Sequence, residues 1–154
     1  MRKNFQAGLI VAILLFAMPV MAVAGSSDVV VDDAWARASI GTSRPGAAYM
    51  TVRNAGAEAV TLTAIATPAA GMAEIHRTAT DSRGVSSMSP VGDIEIAPGE
   101  AAKLEPGGLH AMLMGLRTPL KEGDSFDLTL RFADGETVAV VVPVLGIAAR
   151  GPGR

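Results

Sequence analysis

Turn-forming residues interrupt this chain at short intervals. Pro68, Pro90, Pro98-Gly99, Pro106-Gly107-Gly108, Gly123-Asp124 and Asp134-Gly135 divide it into brief runs. Most of those runs read as β-strands. Val29 and Val31 lead into Ala34-Trp35-Ala36, and Ala47 to Val52 is closed by the turn-like Asn54-Ala55-Gly56. Val60 to Ile65 alternates with Thr61 and Thr63, and Met72 to Thr78 follows. Gly92 to Ile96, Ala101 to Leu104, Leu109 to Leu113, Phe126 to Phe132 and Thr137 to Val144 complete the series. No long segment carries an apolar period of 3.6 residues with caps at both ends. Short, evenly spaced strands joined by Gly/Pro turns predict an all-β, Greek-key sandwich or barrel in a single domain. No internal repeat is visible, and Ala148 to Arg154, with Gly151-Pro152-Gly153, reads as a short flexible tail.

The first 24 residues have a different logic. Arg2 and Lys3 precede an almost wholly apolar run from Ala7 to Val20, and Ala22-Val23-Ala24 offers a small-x-small cleavage site. That layout predicts a secretory signal peptide over 1–24, and hence a periplasmic location. The rival, a retained membrane anchor, is disfavoured because the apolar run is short for a span of about 20 residues. With no Cys after the run, attachment of a lipid is not expected. Cleavage of the 154-residue chain leaves 130 residues, with the folded domain expected over 25–147. The basic count drops from 13 to 11 against 15 acidic residues, a net charge near −4. A mildly acidic surface without a Lys/Arg run suits neither nucleic acid nor anionic lipid, and no stable membrane insertion is expected after cleavage.

The absence of cysteine from the whole chain limits its chemistry further. An exported domain usually enters an oxidising compartment, yet this one has neither a disulfide framework nor a thiolate. Soft-metal chemistry would have to use Met thioethers and His imidazoles, and a blue-copper electron-transfer centre, which needs a Cys ligand, is ruled out. Only two histidines exist, His76 and His110. Five methionines lie beyond the signal: Met50, Met72, Met88, Met112 and Met114. A single Met is ordinarily core filler and a single His ordinarily structural. The segment His110-Ala111-Met112-Leu113-Met114 is less easily dismissed, because alternate residues of a strand share a face. An imidazole and a thioether about 7 Å apart at their Cα atoms can converge on one ion. Periodicity alone does not choose between Met112 and Met114, although Met112 is nearer and Met114, leading into Gly115-Leu116, suits a packing role. His76 should point away from the core if Ile75 points into it. Met88, in Ser86-Ser87-Met88-Ser89-Pro90, stands in a segment that reads as a polar loop with little for a core filler to pack against. Thioether and imidazole together suit Cu(I) better than Zn, Mg or Ca.

The intervals between these residues resemble the periplasmic copper chaperone family PCuAC. Its signature is His, usually Met, ten residues, Met, twenty-one residues, His, any residue, Met. Here His76-Arg77 is followed by Thr78 to Ser87, Met88, Ser89 to Leu109, and His110-Ala111-Met112, so every interval matches. Further similarity lies in Ala34-Trp35-Ala36-Arg37, in Gly46-Ala47-Ala48-Tyr49-Met50 with Asn54 and Gly56, in Pro98-Gly99-Glu100, and in Gly108 to Leu116. It runs from about Val29 to Val144. The resemblance implies a cupredoxin-like β-sandwich that binds one Cu(I), with Cu(II) as a second oxidation state to consider, through His76, Met88, His110 and Met112. It also implies a non-enzymatic carrier. Its acceptor would be an apo copper protein, such as cytochrome c oxidase subunit II or an Sco-like assembly factor. The alternative use of the same site is copper scavenging or storage without a dedicated acceptor. Arg77 replaces the optional Met after the first His, which removes only an auxiliary ligand. No His or Met follows Met114 in this sequence, so the metal-binding tail of some family members is not expected.

Overall fold

The computed structural model describes residues 26–153. The expected signal peptide therefore lies outside the described residues. A short 3-10 turn, Ser26–Asp28, leads into ten strands: β1 (Val29–Arg37), β2 (Gly46–Asn54), β3 (Val60–Ala66), β4 (Ala70–Thr80), β5 (Ser86–Pro90), β6 (Ile94–Ile96), β7 (Ala101–Leu104), β8 (Leu109–Leu116), β9 (Ser125–Phe132) and β10 (Thr137–Leu145). Their hydrogen-bonded order is β5-β4-β8-β7-β2-β1-β10-β9-β3-β6. The order turns over at β1, which pairs antiparallel with β2 and then parallel with β10 through Ala36↔Val144 and Arg37↔Leu145. Two layers result, and the most enclosed side chains come from both. Val52 and Leu113 belong to the layer running from β5 to β1, and Leu62, Leu128, Leu130 and Val142 to the layer running from β10 to β6. This is the cupredoxin-like β-sandwich expected from the sequence.

Two features depart from simple alternation. In β1 the register with β2 slips between Asp32↔Thr51 and Trp35↔Tyr49, and Asp33 has a positive φ of 53°. This is a β-bulge, with the extra residue in the left-handed conformation that Asp tolerates better than most residues. Before it, Val29 packs into the core; after it, Ala36 does. The bulge thus changes the inward parity of the strand and turns Trp35 and Arg37 to the outer face. There Trp35 stacks on Tyr49 with centroids 4.6 Å apart, and the Arg37 guanidinium lies over both rings at 5.8 and 5.6 Å. Burial raises the Tyr49 phenol above its ordinary pKa, and the Arg37 charge partly opposes that shift.

The second departure is β5. The run Ser86 to Pro90, expected to be a loop, is a strand paired antiparallel with β4 from Thr80↔Ser86 to His76↔Pro90. All five of its residues are exposed, so no apolar alternation marks it. The hairpin is instead closed by its turn. The Asp81 carboxylate accepts hydrogen bonds from the main-chain N–H groups of Arg83 and Val85, each at 2.9 Å, and Gly84 supplies φ +80°. These bonds, with the Arg83 guanidinium, hold the Asp81 carboxyl below its usual pKa. After β10, the Ala149 carbonyl accepts a 2.8 Å hydrogen bond from Arg37 Nε, so the chain after Leu145 returns to the end of β1.

A histidine and methionine face on the outer sheet

β4 and β8 lie side by side, antiparallel, and their register decides what the site contains. Ile75 is opposite Ala111 and Ala73 opposite Leu113; these face the core. The alternate pairs, His76↔His110, Glu74↔Met112 and Met72↔Met114, therefore stack along the outer face. Gly107, with φ +86°, lets the chain turn sharply from β7 into β8, and main-chain bonds from Gly108 to Glu105 and from Glu105 to Leu109 secure that turn. His110 is fixed at the start of the strand as a result.

The two imidazoles are the centre of this face. Their ring centroids are 6.1 Å apart and the rings are inclined at 44°. Both are buried, His76 at 9% and His110 at 5% exposure, although they point away from the hydrophobic core. Each ring has one nitrogen occupied. His110 Nδ1 donates to the Gly108 carbonyl at 3.2 Å, which leaves Nε2 as the lone-pair nitrogen of the neutral ring. His76 Nε2 lies 3.2 Å from Glu74 Oε2, so Nε2–H donates to the carboxylate and the lone pair resides on Nδ1. That Nδ1 is buried and has no hydrogen-bond partner. A buried nitrogen without a partner costs roughly 1–3 kcal/mol, which a bound cation would offset. A carbonyl or carboxylate on the other ring nitrogen is the usual way a protein orients a metal-binding His.

The sequence-predicted donors are not gathered equally. His76, His110 and Met112 share one face of two adjacent strands. Met88 stands on β5 opposite Thr78, hence on the same face as His76 but one pleat beyond it, away from Met112. It is 58% exposed, and the edge hairpin that bears it must bring its thioether over His76 for all four to meet. Glu74, missed as a site residue by the sequence reading, lies between His76 and Met112. Its signal was available, since it shares the strand parity of His76. Met114 does not take the packing role expected of it: it is half-buried on the outer face and outside the hydrophobic core. Among the described residues no group of three His, Cys, Asp or Glu side chains is placed to hold a metal ion. Neutral sulfur with imidazole nitrogen fits a soft cation.

Known proteins share this architecture. A PCuAC domain from PmoF1, solved in its apo form, superposes with a TM-score of 0.65 at 22% identity, covering 77% of this chain and 94% of that one. The Cu(I) form of DR1885 from Deinococcus radiodurans superposes with a TM-score of 0.59 at 37% identity, covering 75% of this chain and 76% of that one. A relative from Leifsonia xyli subsp. xyli, named "Putative lipoprotein Lxx21020", is 36% identical over 114 residues, 74% of this chain and 68% of its own length. Lipoprotein is the name of that relative; the present sequence contains no cysteine. Residues 29–144 match the family described as "Putative lipoprotein LpqE-like". That span contains β1 to β9, all of β10 but its last residue, and all four candidate ligands, and the chain belongs to the LpqE-like family, built on the fold of the PCuAC domains.

Proposed function

We propose that this protein is a periplasmic copper carrier that holds one Cu(I) on His76, His110, Met112 and Met88 and passes it to an acceptor copper protein. One observation carries the reading: two buried imidazoles face each other across β4 and β8, and the lone-pair nitrogen of one has no partner within the chain. The 37% identical DR1885, solved with Cu(I), supports the choice of metal. Each protein group has a defined part. Gly108 and Glu74 fix the two rings, so their lone pairs are oriented before the ion arrives. Met112 supplies sulfur from the strand that bears His110. Met88, on an exposed edge hairpin, can engage or leave without disturbing the core. Neutral donors need no deprotonation of sulfur, and exchange of one thioether for an acceptor's ligand requires no proton transfer there.

X-ray absorption of the copper-loaded protein is expected to show one tightly held Cu(I) per chain, with both sulfur and nitrogen neighbours. A first shell of oxygen and nitrogen alone would overturn the site. The two methionines of β8 offer a finer test. Met112→Leu is expected to weaken Cu(I) binding at least tenfold, about 1.4 kcal/mol, while Met114→Leu weakens it by less. Leu nearly conserves volume and hydrophobicity, so the comparison isolates the sulfur. Competition with a Cu(I) chelator under reducing conditions measures both. Loss of copper by Met114→Leu with retention by Met112→Leu would reverse the assignment.

A further inference from the structure

The outer face continues past the histidines. Met72 is paired directly with Met114, and Met112 precedes Met114 by one pleat on the same face. A directly opposed pair in antiparallel strands has Cβ atoms about 5 Å apart, and a diagonal pair such as Met72 and Met112 lies about 7–8 Å apart. Met112 and Met114, two residues apart along β8, are about 7 Å apart at their Cα atoms. Three flexible thioethers therefore stand at the corners of a small triangle. Core packing does not account for it. Met72 is 53% exposed, Met112 and Met114 are half-buried, and none belongs to the hydrophobic core, whereas Met50 of β2 is 2% exposed and does. Met72 borders a cleft with Ile65 and Ile75, but more than half of its surface remains open to solvent.

We propose that Met72, Met112 and Met114 form a second, weaker binding site for a soft monovalent cation, adjoining the histidine pair and sharing Met112 with it. Three neutral sulfurs make a trigonal donor set suited to Cu(I) or Ag(I) and poorly suited to Zn or Mg. Without an imidazole and on an exposed surface, this site holds its ion less tightly than the first. Sharing Met112 rests on the ligand assignment proposed above; the triangle itself does not.

The two are separable by titrating the full chain with Ag(I), a soft ion that does not change oxidation state, while observing methyl-labelled methionine and histidine ring signals by NMR. The first equivalent is expected to move both imidazoles, Met88 and Met112. Further silver is expected to move Met72 and Met114, and Met112 again, with buried Met50 unaffected. The double variant Met72→Leu/Met114→Leu is expected to bind one silver fewer at saturation while its tight event stays within about threefold of the parent's. If Met72 and Met114 stay still in excess silver, or the double variant binds as much silver as the parent, the second site is overturned and the histidine site stands. If the three methionines move first and the imidazoles never do, the thioether triangle stands and the histidine reading falls.

Discussion

Replacing His110 with Leu is expected to reduce Cu(I) affinity by at least a hundredfold, about 2.7 kcal/mol, with little loss of fold. Two features of the site set the size of the effect. His110 is one of only two imidazoles in the chain, and its ring is already oriented by the Gly108 carbonyl at 3.2 Å, so the parent spends little conformational freedom on binding. The variant keeps His76 with thioethers and has no second nitrogen to offer. Structural damage should be small, because His110 lies outside the hydrophobic core cluster and gives up one hydrogen bond to a turn carbonyl. Chelator competition measures the affinity, and a denaturation curve on the same preparation shows whether the fold has changed. An affinity within tenfold of the parent in a normally stable variant would exclude His110 as a ligand.

The largest effect on stability is expected far from the metal face. Asn54, at the end of β2, is fully buried. Its Nδ2 donates to the carbonyls of Glu58 at 2.6 Å and Ile96 at 3.0 Å, and its Oδ1 accepts from Gly56 N–H at 3.0 Å. Its own main chain donates to Glu100 O and accepts from Gly99 N–H. One side chain thus joins the β2–β3 turn to β6. Asn54→Leu keeps a similar outline but strands the buried Ile96 carbonyl, at a cost of roughly 1–3 kcal/mol, and two part-buried turn groups, Glu58 O and Gly56 N–H, at less each. A total loss of about 4 kcal/mol is expected, which corresponds to a melting temperature lower by about 10 °C or more. Copper affinity of the folded fraction should be unchanged. Ala47, the β2 residue paired with Met112, is seven residues from Asn54, some 23 Å along an extended strand. A cost below 1 kcal/mol would mean that water or backbone movement satisfies the turn without Asn54.

How much of this was legible depends on where apolar residues happen to fall. β4 and β8 could be read because one face of each is apolar: Ile75, Ala111 and Leu113 go in, so His76, His110 and Met112 must go out. The cross-strand register was not readable, since a slip of two residues would preserve every inward and outward choice. Only the structure sets His76 against His110 and not against Met112. β5 escaped notice because both its faces meet solvent, so its sequence carries no burial pattern; the hydrogen bonds to Asp81 define it instead. The burial of both histidines was also invisible, because strand parity reports direction and says nothing of what covers that direction. Glu74 was overlooked for the opposite reason: it obeyed the parity rule but was a plausible solvated carboxylate on any exposed strand.

The bulge at Asp33 makes β1 two half-strands in opposite phase. Val29 belongs to the first half, while Trp35, Ala36 and Arg37 belong to the second. Removing a single residue between them would restore simple alternation and rotate the second half by one place. The indole and the guanidinium would then be driven inward, and Ala36 would be left facing water. Point substitutions on either half remain local in their effects, whereas a one-residue deletion acts on every position downstream of it in the strand. Natural variation in this segment should therefore change residue types more readily than it changes length.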